Sequence, residues 1–194
     1  MARKLLATAL VLGCFVVLSG AATYSAFSSQ TSSSGNSFAA GTVQLTDNDA
    51  GSAILSLSNA QPTATDASCI LITYSGSLAS TVRLYGAISG PLASYLTLTV
   101  TRGTDSSPSF DSCGGFTPDG TDFIGAGAGV IFQGNLSAFP ASYAAGLVDP
   151  TSGSPESWTT SETHAYRFAV TLQNDNAAQG QSATAGFTCE ARNS

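Results

Sequence analysis

The stretch Leu96-Thr97-Leu98-Thr99-Val100-Thr101 alternates apolar and hydroxyl side chains without a break. A period of two puts Leu96, Leu98 and Val100 on one face of a strand, whereas a helix would scatter them around its circumference. The same rule recurs along the chain. Tyr166, Phe168, Val170 and Leu172 share a face, as do Val82, Leu84, Gly86 and Ile88, with Arg83, Tyr85 and Ala87 opposite them. Val43 with Leu45, the trio Ala53, Leu55 and Leu57, and the set Ala183, Ala185, Phe187 and Cys189 read in the same way. Residues 69–74 are apolar on both faces, which predicts a strand covered on two sides. Asp47-Asn48-Asp49-Ala50-Gly51 and Asn174-Asp175-Asn176 are turns, and Asn59-Ala60-Gln61-Pro62 interrupts a ladder because proline has no amide hydrogen to donate.

Composition agrees with this pattern. Only 9% of the 194 residues are charged and 20 are glycine, too few long charged side chains to clothe helices in water. With 43% hydrophobic residues the chain can build one substantial core, so one all-β domain, a sandwich of about eight strands, is expected. The formal charge is −6, and no lysine follows Lys4. An acidic, lysine-free surface repels phosphate backbones and anionic lipid heads, which argues against nucleic acid and peripheral membrane as partners.

Residues 1–20 carry Arg3 and Lys4, an apolar run over residues 5–18 and then small residues, the three parts of an export signal. The run is short for a membrane span. Val11-Leu12-Gly13-Cys14 offers an alternative, a lipid on Cys14, although the apolar run continues beyond it. Residues 28–37 form an uncharged, serine-rich spacer that buries too little to order itself, so a mobile segment is expected there. Residues 103–129 make a long excursion rich in Gly, Asp and Pro, followed by a strand over residues 130–136. A second loop region spans 139–157, with a helical turn expected near Tyr143.

Thr23-Tyr24-Ser25-Ala26-Phe27, followed by Phe38-Ala39-Ala40-Gly41-Thr42-Val43-Gln44-Leu45, resembles the start of TasA and camelysin-type proteins. Tyr166-Arg167-Phe168-Ala169-Val170-Thr171-Leu172 and Phe187-Thr188-Cys189-Glu190-Ala191 resemble the closing strands of actinobacterial members, with Cys189 where a tryptophan is usual. The resemblance implies a jelly-roll topology for residues 38–194 and a SipW-type signal peptidase that cuts between Ser25 and Ala26. Residues 1–25 are then the signal peptide and residues 26–37 a flexible arm. It further implies a secreted subunit of an extracellular biofilm-matrix fibre, without membrane attachment after cleavage. Joining subunits would be strand donation: Ala26 to Phe38 adds to an open sheet edge of the next copy and Phe27 fills a pocket there, so that the partner is the protein itself.

Three cysteines follow the signal. A Cys69–Cys113 disulfide, stapling the long excursion to a strand, is the preferred pairing, with about 3 kcal/mol of stabilisation; Cys69–Cys189 is the rival. No catalytic set emerges. A hydrolytic zinc site of the kind assigned to camelysin needs two or three His or carboxylate ligands, often as H-E-x-x-H, and the single histidine, His164, has only Glu162 nearby. A surface histidine at a strand start is the plain alternative. There is no G-x-S-x-G, and the glycines at 125, 127 and 129 lack a phosphate-loop lysine. No cofactor is therefore expected. Calcium is a candidate at Asp47, Asn48 and Asp49, where Ser58 replaces the closing glutamate of a calcium loop, or at Asp111, Asp119 and Asp122. Tyr95, Tyr143 and Trp158 would be the stacking surface if the domain were instead a cell-wall or carbohydrate-binding module, although such aromatics are more often core or rim packing.

Overall fold

Five strands of ten residues frame the protein. The computed structural model describes residues 41–50, 52, 54–55, 61–151 and 154–193. The expected signal peptide, its Ser25–Ala26 cleavage point, the Cys14 lipid site and the arm with Phe27 and Phe38 all lie outside the described residues. In chain order the strands are β1 (Leu45–Asp47), β2 (Thr65–Tyr74), β3 (Ser80–Ser89), β4 (Leu96–Asp105), β5 (Phe116–Pro118), β6 (Val130–Asn135), β7 (Leu147–Val148), β8 (Pro150–Thr151), β9 (Ser154–Pro155), β10 (Thr163–Leu172) and β11 (Thr184–Asn193). One sheet has the order β1-β2-β10-β4, with both β5 and β6 on the far side of β4. The second has the order β11-β3-β7, and β8 pairs only with β9. All pairings are antiparallel. The expected all-β sandwich is the architecture observed.

The core is built by the alternation read above. Ile70, Ile72 and Tyr74 of β2, Phe168, Val170 and Leu172 of β10, and Leu96, Leu98 and Val100 of β4 face Val82 and Leu84 of β3 in one hydrophobic cluster. Phe187, Cys189 and Ala191 of β11 pack against it. Each fully buried side chain of this size contributes about 2 kcal/mol by leaving water. Phe187 joins the sheets through its ring, 4.7 Å from Phe168 and 5.2 Å from Phe139, the latter edge to face. A 3-10 turn occupies Tyr143–Ala145, where the sequence predicts one.

The long excursion is only partly irregular. β4 runs on to Asp105, and Phe116–Pro118 returns to pair with its end. Cys69, on the outer face of β2, is bridged to Cys113, with the Cα atoms 5.2 Å apart. The Asp111 amide donates to the Cys69 carbonyl at 3.2 Å, so the root of the excursion lies on the outside of the first sheet. Cys189 is on the opposite sheet facing the core, so the rival pairing with Cys69 is not made.

One expected strand is not found. Of residues 53–57, Ile54 and Leu55 are described and neither is in a strand; the others lie outside the described residues.

Candidate functional site

Two regions concentrate the unusual chemistry. The first follows from continuing the alternation one step further. Leu96, Leu98 and Val100 point inward, so Arg102 does too. Tyr166, Phe168, Val170 and Leu172 point inward, so His164 does as well. Register places Tyr166 opposite Arg102, which brings these polar residues to one end of the sandwich. His164 is therefore not the surface residue expected from the sequence; its side chain is 13% exposed. Reading the inward set two residues beyond its last hydrophobe would have found both positions.

Arg102 is 7% exposed and is the hub. Its guanidinium donates to Asp119 and to Glu156, and its Nε lies 2.5 Å from Asp149 Oδ1, close enough for an ion pair though not aligned for a hydrogen bond. Asp149 is buried, and both of its oxygens are occupied. Oδ1 accepts from the Tyr166 hydroxyl at 2.9 Å and Oδ2 from the Trp158 indole at 2.8 Å. His164 Nε2 lies 3.1 Å from Glu162 Oε1, 3.6 Å from Glu156 Oε2 and 3.2 Å from Arg102 Nη2. Glu162 in turn accepts the Thr159 amide at 2.7 Å. Backbone bonds hold the hub from the other side. The Arg102 amide donates to the Gly129 carbonyl at 2.8 Å, and the Asp119 amide donates to the Arg102 carbonyl at 3.0 Å. Gly129, at φ 71°, approaches so closely that a Cβ there would lie 2.4 Å from the Arg102 oxygen.

Electrostatics follow from this packing. Burial opposes the charge on Arg102, but Asp149 and Asp119 more than offset it and raise its pKa above the usual arginine value. Burial and the neighbouring Asp149 push the Tyr166 phenol well above the usual tyrosine range. Burial alone would raise Glu162, yet the Thr159 amide and His164 lower it below the usual glutamate range.

Asp149, Glu156 and His164 offer ligand atoms within 4.8 Å of one another, the geometry of a metal triad. The donor set does not fit a dication as it stands. Arg102 already donates to Glu156 and sits 3.2 Å from the histidine nitrogen, placing a fixed positive charge where the metal would go. The arrangement acts as a clamp instead. It binds the 149–162 connection to the ends of β4 and β10.

Other candidate residues are dispersed. Trp158 is fully buried beside His164, with ring centroids 4.5 Å apart, which removes it from any sugar-stacking surface. Tyr95 packs against the core. Tyr143 lies under Arg192, 3.9 Å from its guanidinium carbon. Asp119 belongs to the clamp, while Asp122 caps a turn by accepting the Gly125 and Ala126 amides at 2.8 and 3.0 Å. Asn48 accepts the Leu71 amide at 3.0 Å and so pins the turn after β1. Asp111, Asp119 and Asp122 do not come together as a cluster of ligand atoms.

The second region is an open groove with a floor of core side chains and polar residues in its walls. β11 pairs with β3 along one edge, and among the described residues its other edge has no ladder partner. Beside it runs a groove between the sheets, with cavities of about 390 and 220 Å³ that share Asp49, Ile54 and Phe187 in their walls. Leu96, Leu136 and Val170 floor one part, and Ile70, Ile72 and Phe168 the other. The wall opposite β11 is formed by β1 and by Ile54 and Leu55. Sequence alternation identifies these residues as core but cannot show which side of a sandwich is left open. No protein family model matches the chain, and no curated protein matches it.

Proposed function

We propose that this protein is a secreted, non-enzymatic subunit that polymerises head to tail into extracellular fibres of a biofilm matrix. Export and removal of residues 1–25 by a SipW-type signal peptidase free an arm beginning at Ala26. The arm of one copy adds as a strand to the free edge of β11 in the next, and Phe27 enters the apolar groove. The observation that supports this reading is the ten-residue β11, whose second edge is unpaired among the described residues and lies beside a cavity floored by core side chains. Residues 26–37 span about 40 Å when extended, against about 33 Å for β11, so the arm can run the full edge. Backbone hydrogen bonds supply affinity along the edge, and the groove selects the apolar residue. A contact between unlike surfaces does not close on itself and grows as a filament.

The TasA-like start of the chain supports the same reading. The camelysin alternative, a metallopeptidase, draws on the Asp149, Glu156 and His164 triad but requires Arg102 to leave it.

The test compares the protein starting at Ala26 with one starting at Phe38, by size exclusion and electron microscopy. Filaments from the first and monomers from the second are expected. Monomers from both would remove self-assembly through the arm.

A further inference from the structure

Residues 52–58, Ser-Ala-Ile-Leu-Ser-Leu-Ser, carry the alternation of a strand. Yet Ile54 and Leu55 are not in one, although they lie across the groove from the unpaired edge of β11. Both are half-buried and pack against the core cluster. The other apolar side chains lining the two cavities come almost entirely from strands or 3-10 turns. A strand-forming sequence with apolar side chains in the groove and no ladder at the described positions is a conflict between local preference and fold, and such conflicts accompany function.

We infer that Ile54 and Leu55 are placeholders. They occupy in their own subunit part of the apolar groove that the arm of a second copy takes in the fibre, and they slow assembly until displaced. This inference rests on the strand-donation reading and adds its regulation. At the described positions these two half-buried side chains pack by apolar contact, which is exchangeable. The arriving arm brings both apolar contact and a row of backbone hydrogen bonds, so exchange runs toward the fibre. Without the placeholder, the groove would stand open in the free subunit and subunits would join wherever they are made.

The experiment follows filament growth of the processed protein by light scattering and electron microscopy. The doubly substituted I54A/L55A protein is expected to shorten the lag about tenfold, the effect of exposing roughly one side chain's worth of groove. A synthetic peptide of residues 50–60, added in excess to the unsubstituted protein, is expected to lengthen the lag, and the same peptide with alanine at 54 and 55 to have no effect. An unchanged lag in a folded I54A/L55A protein, together with an inert peptide, overturns the placeholder while leaving strand donation standing. If the variant does not fold, the peptide pair decides. Failure of the unsubstituted processed protein to assemble overturns both.

Discussion

The Arg102 clamp and the β11 groove solve opposite problems at two places in one sandwich. In the clamp polar groups are buried, and the carboxylates of Asp149 and Glu156 are held by neighbouring donors. A group that loses its partner there cannot recover it from water, so the arrangement is fixed. Along the groove the floor is apolar, and among the described residues the outer edge of β11 has no ladder partner. Apolar contacts are non-directional, so one occupant can replace another at small cost. Directional contacts dominate where ions are buried, and non-directional ones on the floor of the groove.

The comparison breaks most sharply at Arg102. Arg102→Ala strands the buried Asp149 carboxylate and is expected to cost about 3–5 kcal/mol in urea unfolding, while any protein that still folds keeps its capacity to assemble. Next comes the disulfide. Cys113→Ser opens a loop of sequence separation 44 and is expected to cost about 3–4 kcal/mol by the same measurement.

A smaller effect is set by pH. The Cys189 thiol is pushed up to about 12 by burial first and then by Asp47 and Asp149, and Tyr166 is raised in the same direction. Both groups stay neutral in the fold at a pH where the unfolded chain has already ionised. Stability should therefore be fully present below about pH 9 and fall as pH rises toward 12. Cys189→Ala should make that alkaline fall shallower, read from unfolding curves at successive pH values. The smallest stability change is expected on the open side. Ala185 is exposed on β11 and lines the groove. Ala185→Lys should alter unfolding by about 0.5 kcal/mol or less, yet abolish filaments, because a lysine on an edge blocks strand addition. Unimpaired filaments in that variant would separate the groove from assembly.

Much of the frame was readable from alternation alone. Five long strands, their inward faces and the class of fold follow from a period of two, because burial of one face enforces it. The Cys69–Cys113 link was the preferred of two readings, since sequence cannot tell that Cys69 faces outward while Cys189 faces in. The clamp is not legible from residue type: the sequence reading leaves Arg102 unassigned and puts His164 at the surface, and only strand parity turns both inward. Charged residues are mostly exposed, and it took carboxylates from the 119 and 149–162 regions, remote in sequence, to make their burial tolerable. Trp158 follows the plainer of its two readings, core packing: its backbone pairs with Ser80 and its indole with Asp149. The groove could not be read at all, because openness depends on which strands end each sheet.

The bridge between Cys69 and Cys113 also bears on where the chain can mature. In a reducing compartment these thiols stay apart, the excursion loses its anchor on the first sheet, and the folded state is correspondingly shallower. On the export route proposed above, the reduced chain would be the easier one to thread, and oxidation on the far side would close the link.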